Sequence, residues 1–227
     1  ASAVSAFVWL FAEIIAGQSY SHVGVYFWNM FIPFGFFLII SLLLSALKGM
    51  LQNANTLAHT DYLTGAANSR LFFNLLQCEI ERSKRYGNSF ALAYFDLDDF
   101  KKINDQFGHS TGNDVLRTIV NIIRQNIRKT DTIARIGGDE FCLLLLEADQ
   151  EKALTVVSKI QRLITAEMFK HSWLVTLSIG LLLCRNAPGT ADEAIKIADR
   201  LMYSAKLNGK NGIRYSIYEN GNIVAQL

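Results

Sequence analysis

The first 47 residues of the chain contain almost no charge. Glu13 is their only formally charged side chain, apart from His22, whose charge depends on pH. This stretch is the source of the positive mean hydropathy of the whole chain, +0.20, which is unusual for a soluble protein. The remaining residues have the mixed composition of an ordinary cytosolic domain, so the chain divides into an apolar part and a globular part.

Cysteine and net charge are also scarce. Cys78, Cys142 and Cys184 lie far apart, with no Cys-x-x-Cys pair and no Cys/His ligand spacing. This excludes a zinc site of the usual kind, and we interpret the three residues as reduced, buried thiols. The net charge of +2 is too small to indicate the basic surface of a nucleic-acid-binding protein, so we expect no nucleic-acid partner.

The apolar part contains one segment long enough to cross a lipid bilayer. Val23–Leu47 carries no charge and exceeds the roughly 20 apolar residues that a spanning helix needs, with Pro33 as a point where it can bend. Lys48 marks the following end as cytoplasmic. Ala3–Ala16 is shorter and contains Glu13, so it is a weaker candidate for the end of a preceding helix. A signal peptide or a buried core helix is the alternative, although a signal peptide would begin with basic residues.

Residues 1–47 are therefore predicted to be a membrane segment of one or two transmembrane helices, at the end of a larger N-terminal region. Residues 48–60 are predicted to form a helical linker or short coiled coil. Apolar residues recur there at alternating spacings of three and four, as in a coiled-coil seam: Leu44, Leu47, Leu51, Ala54 and Ala58. An unpaired amphipathic linker is an equal alternative, because the seam is short and contains two alanines.

The globular part alternates between helical and strand patterns. The predicted helices are Ser69–Tyr86, Asp98–Phe107, Asn113–Arg128, Gln150–Phe169 and Thr190–Leu207. The predicted strands are Phe90–Asp96, Thr132–Ile136, Phe141–Leu146, Leu174–Cys184 and Ile213–Tyr218. This order predicts an α+β fold, an α/β sandwich in which helices flank a central, mainly antiparallel, five-stranded sheet.

Two glycines and two carboxylates separate the second and third predicted strands. Gly137 and Gly138 indicate a hairpin, because glycine adopts positive φ readily. Asp139 and Glu140 then lie at or beside its tip, where adjacent carboxylates repel each other unless a cation or a basic group lies between them. Taken alone, the motif favours a solvated polar turn, which is what most Gly-Gly-Asp-Glu tetrapeptides form.

A third carboxylate, Asp96, ends the first predicted strand and would meet this hairpin if that strand pairs beside it. Three carboxylates on rigid elements suit hard divalent cations such as Mg²⁺, which often act together with substrate phosphates. The turn after Asp96 offers backbone N–H groups and Lys101, both of which bind phosphates. Lys206 and Lys210 can add positive charge, although a solvated helix face is the alternative for each lysine.

Four motifs in the globular part resemble the GGDEF family of diguanylate cyclases. They are Asp61–Gly65, Phe95–His109, Ala134–Phe141 and Ala198–Lys206, in the order and spacing of that family across residues 58–218. The resemblance implies a GGDEF domain over residues 61–227, with a fold close to the palm of nucleotide cyclases and polymerases. It also implies condensation of two GTP into cyclic di-GMP and two pyrophosphates at a homodimer interface. The predicted membrane segment would place the chain in the inner membrane, with this domain on the cytoplasmic side.

The resemblance also implies roles for individual residues. Asp96, the Leu97 carbonyl, Asp139 and Glu140 would hold two Mg²⁺ (or Mn²⁺) ions per active site, with Asp139 as the proton acceptor and Glu140 as the second catalytic carboxylate. The substrate-binding positions would be Phe100, Lys101, Asn104, His109, Asn113, Gly137, Gly138, Lys206 and Lys210. Among these, Asn104 would read guanine with His109 on the same side, and Lys206 would contact phosphate.

Two of these positions depart from the family pattern. Asn113 stands where the family commonly has Asp, and an amide accepts hydrogen bonds from guanine with only one oxygen. Lys210 stands where the family commonly has Arg, so the charge is kept but the bidentate fork is lost. Neither change removes a predicted metal ligand, so catalysis is still expected.

Arg128 and Asp131 form an Arg-x-x-Asp motif shortly before the hairpin. By itself, Arg128 is a favourable cation at a helix C-terminus. At this offset the motif resembles the inhibitory site of the family, where cyclic di-GMP binds as product, and arginine suits bidentate recognition of phosphate or guanine. The sequence thus favours a product-inhibited, membrane-anchored enzyme. The alternative is a catalytically weak domain that binds GTP or cyclic di-GMP and regulates a partner, for which Asn113 is the main argument.

Overall fold

The computed structural model describes residue 15, residues 23–57 and residues 59–226. The chain divides into two compact units, residues 1–57 and residues 58–227.

The first unit is described mainly by one long helix, α1 (Val23–Leu57), which contains Pro33. Within it, Phe31–Met50 is long and apolar enough to cross a membrane, and none of this window is buried within the structure. A signal sequence near the N-terminus would satisfy the same criteria. The predicted span Ala3–Ala16 lies outside the described residues except for Ile15, as does Ala58 of the predicted seam.

The second unit contains seven strands and four further helices among its described residues. The strands are β1 (Ala67–Asn68), β2 (Phe90–Asp98), β3 (Thr132–Gly137), β4 (Glu140–Leu146), β5 (Thr176–Cys184), β6 (Ile213–Glu219) and β7 (Asn222–Gln226). The helices are α2 (Ser69–Tyr86), α3 (Phe100–Gln125), α4 (Gln150–Lys170) and α5 (Ala191–Leu207).

All seven strands form one mixed sheet in the order β1-β3-β4-β2-β5-β6-β7. The β1–β3 and β5–β6 pairs are parallel, and the other four neighbouring pairs are antiparallel. The prediction of five strands was therefore wrong. It missed β1, which with two residues is too short to show a periodicity, and β7, an edge strand that follows the Asn220-Gly221 turn and is exposed at residues 222–224.

Helices cover both faces of the sheet. All nine residues of β2 are buried, and their side chains alternate between two hydrophobic clusters. Phe95 and Leu97 pack with α3 and α4 on one face, whereas Leu92 and Tyr94 pack with α2 and α5 on the other. The predicted α/β sandwich is thus confirmed, and β2 lies at its centre.

Local signals set most helix boundaries within a few residues of the predicted ones, although α3 ends at Gln125 rather than at Arg128. Asn68 caps α2 by accepting a hydrogen bond from the Leu71 N–H at 2.9 Å, and Gly87 ends the helix with φ 73°. Gly108 has φ 82° and ψ 161°, so it breaks α3 into two helical segments at the predicted position. The first of these segments begins at Phe100 rather than at Asp98, because Asp98 continues β2.

The cysteines agree with the sequence prediction only in part. All three are free thiols, but Cys78 is exposed, so the prediction that all three are buried was wrong. Burial raises the pKa of the Cys142 thiol well above its usual value, which makes this thiol inert.

Candidate active site

The predicted carboxylates meet at one end of the central sheet. β2 and β4 are antiparallel neighbours, and their register places Asp96 directly opposite Glu140. The Leu97 N–H donates to the Asp139 carbonyl at 3.3 Å, which ties the end of β2 to the hairpin turn. The expectation that the first predicted strand pairs beside the hairpin is therefore confirmed.

The hairpin itself is tight. Gly137 pairs with Glu140, leaving Gly138 and Asp139 as the two turn residues, and Gly138 has φ +44°. A Cβ added at Gly137 or Gly138 would meet no atom within 4 Å. At Gly138 glycine is favoured by its backbone conformation, and both positions present open backbone to solvent.

Arg135 holds this hairpin, and sequence reasoning assigned it no role. Its Nε and Nη2 donate to the Gly138 carbonyl at 2.9 and 2.8 Å. Its Nη1 forms an ion pair with Asp61 at 3.2 Å, in which both side chains are largely buried. Burial raises the pKa of Asp61, but hydrogen bonds from Thr64 and the Arg135 charge together bring it below its usual value. Both residues lie within the quoted motifs, so their positions, though not their contact, were visible in the sequence.

Lys206 lies against Asp96, with its Nζ 2.7 Å from Oδ1. Burial is the largest influence on Asp96, and it raises the pKa of this carboxyl to about 6. The hydrogen bond from Lys206 lowers the pKa in part, whereas the negative charges of Asp139 and Glu140 raise it. The ionised form of Asp96 is therefore disfavoured by its surroundings, and a further positive charge nearby would stabilise it.

Tyr94 is a second residue near the carboxylates that the sequence did not single out. It is 6% exposed and lies two residues before Asp96 on β2. Burial raises the pKa of its phenol strongly, and the negative charge of Glu140 raises it further. The Tyr94 hydroxyl thus stays protonated beside the Glu140 carboxylate.

The chemistry of this donor set fits a hard divalent cation. It consists of three carboxylates and the carbonyl of Leu97, which are the oxygen ligands that Mg²⁺ prefers. In the described part of the chain, no three Asp, Glu, His or Cys side chains stand close enough to form a metal site as they are. Binding of a cation would therefore require side-chain rotations. The ammonium group of Lys206 already lies against Asp96, as expected if the carboxylates create a negative potential that would also attract a metal cation.

The first part of α3 brings several predicted substrate-binding residues together. Gly112, one turn after the break at Gly108, is buried, and a Cβ there would lie 2.0 Å from Asn104 Oδ1 and 3.2 Å from Phe100 Cζ. Asn104 and Phe100 thus pack directly over Gly112. Asn113 follows it and is half-buried, whereas Lys101 and His109 are exposed.

An ion pair with Asp99, which immediately precedes this helix, places Lys210 near the helix start. Its Nζ is 3.0 Å from Asp99 Oδ2, and Lys102 pairs with Asp99 Oδ1 at 3.0 Å. Hydrogen bonds from the two lysines lower the pKa of Asp99. Lys206 and Lys210 therefore both reach residues of the Asp96–Asp99 segment, from the end of α5 and from the loop after it.

Arg128 and Asp131 lie in a different region. A cleft of about 340 Å³ is lined by Arg128 and Asp131 together with Arg124 and Lys129. The Asp131 carboxylate accepts from the Arg128 and Leu146 backbone N–H groups at 2.9 and 3.2 Å, which fixes the turn between the two residues. The exposed Arg128 side chain is thereby presented at a basic cleft separate from the hairpin.

Comparison with known proteins agrees with this geometry. The family profile described as "Diguanylate cyclase, GGDEF domain" matches residues 58–212. The chain belongs to the GGDEF family. One relative is the probable diguanylate cyclase DgcT of Escherichia coli K12, 33% identical over 168 residues, which are 72% of this chain and 37% of the relative. Another is the bifunctional diguanylate cyclase/cyclic di-GMP phosphodiesterase MucR of Pseudomonas aeruginosa, 36% identical over 192 residues, which are 81% of this chain and 28% of the relative.

Solved GGDEF structures have the same fold. The coiled coil and GGDEF domain of DgcB from Caulobacter crescentus, in complex with c-di-GMP, matches with a TM-score of 0.65 and 25% identity, covering 80% of this chain and 98% of that one. The GGDEF domain of PA1120 (TpbB or YfiN) from P. aeruginosa matches with a TM-score of 0.61 and 33% identity, covering 69% and 94%. The chain spans less than half the length of the curated relatives named above.

Proposed function

We propose that this chain is a diguanylate cyclase that condenses two GTP into cyclic di-GMP and two pyrophosphates. The single observation that carries the proposal is the register of β2 and β4, which pairs Asp96 with Glu140 at the hairpin while Lys206 contacts Asp96. A structural turn would not need three carboxylates and a lysine at one sheet end.

The proposed roles of the residues follow from their positions. Asp139, at the hairpin turn, accepts the proton of the attacking 3′-hydroxyl. Gly137 and Gly138 leave open backbone against which the nucleotide lies. Lys206, Lys101 and Lys210 offset the phosphate charge, and Asn104 recognises guanine from its place over Gly112.

Asp96, the Leu97 carbonyl, Asp139 and Glu140 would hold two Mg²⁺ (or Mn²⁺) ions. Bound there, the ions would stabilise the charge on the α-phosphate and make the 3′-hydroxyl more acidic. Because each domain carries one GTP, the proposal requires a homodimer in which two hairpins face each other. The apolar window Phe31–Met50 supports an inner-membrane location, with the GGDEF domain on the cytoplasmic side.

The test is incubation of the purified chain with GTP and Mg²⁺, followed by separation of the nucleotides. We expect one cyclic di-GMP and two pyrophosphates for every two GTP consumed. The isosteric variant Asp139→Asn should lose roughly 10²- to 10⁴-fold in rate, the usual worth of a general base. Tight GTP binding by the wild-type dimer without product would contradict the proposal.

Product inhibition is proposed at Arg128 and Asp131, supported by the basic cleft that they line. Arg128→Ala should raise the concentration of cyclic di-GMP needed for half-inhibition while leaving the initial rate intact. Unchanged inhibition would show that the product binds elsewhere.

The second candidate is a GTP- or cyclic di-GMP-binding module without significant turnover, which Asn113 favours. Asn113→Asp restores a carboxylate with two acceptor oxygens. If guanine recognition is impaired in this chain, the variant should lower the KM for GTP. An unchanged KM would show that Asn113 is adequate, and the binding-module hypothesis would lose its main support.

A further inference from the structure

A buried carboxylate at the end of β2, Asp98, has no part in the function proposed above. Asp98 is 3% exposed. Its Oδ1 accepts from the Ser178 hydroxyl at 2.7 Å. Its Oδ2 accepts from the Thr176 hydroxyl at 2.7 Å and from the Asn211 backbone N–H at 3.1 Å. Two of these donors belong to the neighbouring strand β5, and the third belongs to the loop between α5 and β6.

That loop, residues 208–212, has an unusual backbone. Gly209, Lys210 and Asn211 have φ of 103°, 62° and 45°, so three consecutive residues are left-handed, and two of them are not glycine. Such a conformation is costly and persists only when surrounding contacts determine it. The Lys210 N–H donates to the Ala205 carbonyl at 3.2 Å, and the Gly212 carbonyl accepts from the Ile179 N–H at 2.9 Å. Between these two contacts, the Asp98 carboxylate accepts a hydrogen bond from the backbone N–H of Asn211.

The residue after Asp98 contacts the same loop. Asp99 is itself left-handed, with φ 60°, and it immediately precedes α3. Its carboxylate pairs with Lys210 at 3.0 Å. Asp98 therefore fixes the loop backbone while Asp99 receives the loop side chain, next to the helix start that carries Phe100 and Lys101.

We infer that Asp98 is a positioning residue, which holds the loop at Asn211 so that Lys210 is presented to the phosphates of the nucleotide. The inference rests on the proposed function, because it needs Lys210 to contact substrate. Within the described residues, the hydrogen-bond partners of Asp98 are two hydroxyls and one amide. A carboxylate is suited to this place because both of its oxygens accept, and charge-assisted hydrogen bonds are the stronger kind.

Asp98→Asn tests this role with little change in shape. The hydroxyls of Thr176 and Ser178 can rotate and either donate to or accept from the new amide. The Asn211 N–H can only donate, so it loses the charged acceptor in either orientation of the amide and loses its partner altogether if the NH₂ takes the place of Oδ2. Ser178→Ala is the matched control, because it removes a hydrogen bond from the same carboxylate but leaves the Asn211 contact intact.

The measurements use the full chain in detergent. We expect Asp98→Asn to raise the KM for GTP about tenfold with kcat within about twofold, and Ser178→Ala to leave both near wild type. Hydrogen exchange at the Asn211 amide should be at least about tenfold faster in Asp98→Asn. The double variant with Lys210→Ala and Asp98→Asn should have the same KM as Lys210→Ala alone, because the change at Asp98 acts only through Lys210.

Three outcomes would overturn the inference. They are additive effects of the two changes on KM, an unchanged KM despite faster exchange, and an Asn211 amide that already exchanges freely in the wild type. The last measurement needs no variant, so it decides the matter even if Asp98→Asn does not fold. If the wild type makes no cyclic di-GMP, the proposed function fails, whereas Asn211 exchange and GTP affinity by calorimetry still test whether Asp98 positions Lys210.

Discussion

Ionisation of the buried Asp96 carboxyl should lower the free energy of unfolding of the metal-free protein, and this effect can be measured. The pKa of this carboxyl rises from 3.8 to about 6. One pKa unit corresponds to 1.36 kcal/mol, so ionisation in the folded state lowers the free energy of unfolding by about 3 kcal/mol. Because the folded pKa exceeds the unfolded one, the folded state binds the proton more tightly, and stability falls as pH rises between about 4 and 6.

Asp96→Asn removes this titration while keeping an oxygen that can accept from Lys206. Part of the loss in stability of the wild type has already occurred at pH 4.5. Between pH 4.5 and pH 7.5, the free energy of unfolding of the variant relative to that of the wild type should therefore rise by about 2 kcal/mol. In a domain of this size that gain corresponds to roughly 4–8 °C in Tm. Comparing the two proteins at each pH cancels the titration of the other groups.

The assay is thermal unfolding of the purified chain in detergent with EDTA, followed by circular dichroism at both pH values. The enzyme activity of Asp96→Asn should be lost although its stability at pH 7.5 is higher. Adding millimolar Mg²⁺ should raise the Tm of the wild type at pH 7.5 but not that of the variant. A constant difference in Tm between the two proteins at the two pH values would refute the reasoning.

Three further substitutions test other parts of the site and core. Gly112→Ala should displace Asn104 and raise the KM for GTP about tenfold with little loss of stability, because the new Cβ would lie 2.0 Å from Asn104 Oδ1; an unchanged KM would show that Asn104 does not recognise guanine. Arg135→Lys should cost about 2 kcal/mol in urea unfolding, since one ammonium cannot replace the charged fork that holds Gly138; full stability would argue that this clamp is unimportant. Gly180→Ala should cost about 3 kcal/mol or more, because its Cβ would lie 2.0 Å from a helix carbonyl in α5; a near-normal Tm would mean that α5 can shift without cost.

Most elements of the domain could be predicted because they carry complete local signals. The α2 helix has an Asn cap, a periodic apolar face and a terminal glycine within one stretch of sequence. The β7 strand follows an Asn-Gly turn, which is also a known hairpin signal, but residues 222–224 are exposed and do not show the alternation of a half-buried strand. The β1 strand could not be predicted, since a two-residue strand exists only through its pairing with β3.

The site was less accessible to sequence reasoning for a different reason. Asp96 and Glu140 could be named because each is a carboxylate at the edge of an apolar run. Asp98 and Arg135 act through partners distant in sequence, Asn211 in one case and Asp61 in the other. Neither residue type nor local spacing indicates such a contact, and only the three-dimensional structure identifies it.

The central position of β2 has a consequence for how the site comes into existence. Asp96 lies between Glu140 on one neighbouring strand and Ser178 on the other. Both neighbours are distant in sequence, and non-local pairing of this kind is a slow step in folding. A chain that ends before β5 already contains the three carboxylates, but it lacks Lys206 and Lys210, which lie beside this segment in the finished domain. During synthesis, therefore, the negative charge at the sheet end precedes the cations that offset it, and the proposed site reaches its final balance of charge only when α5 and the loop after it are complete.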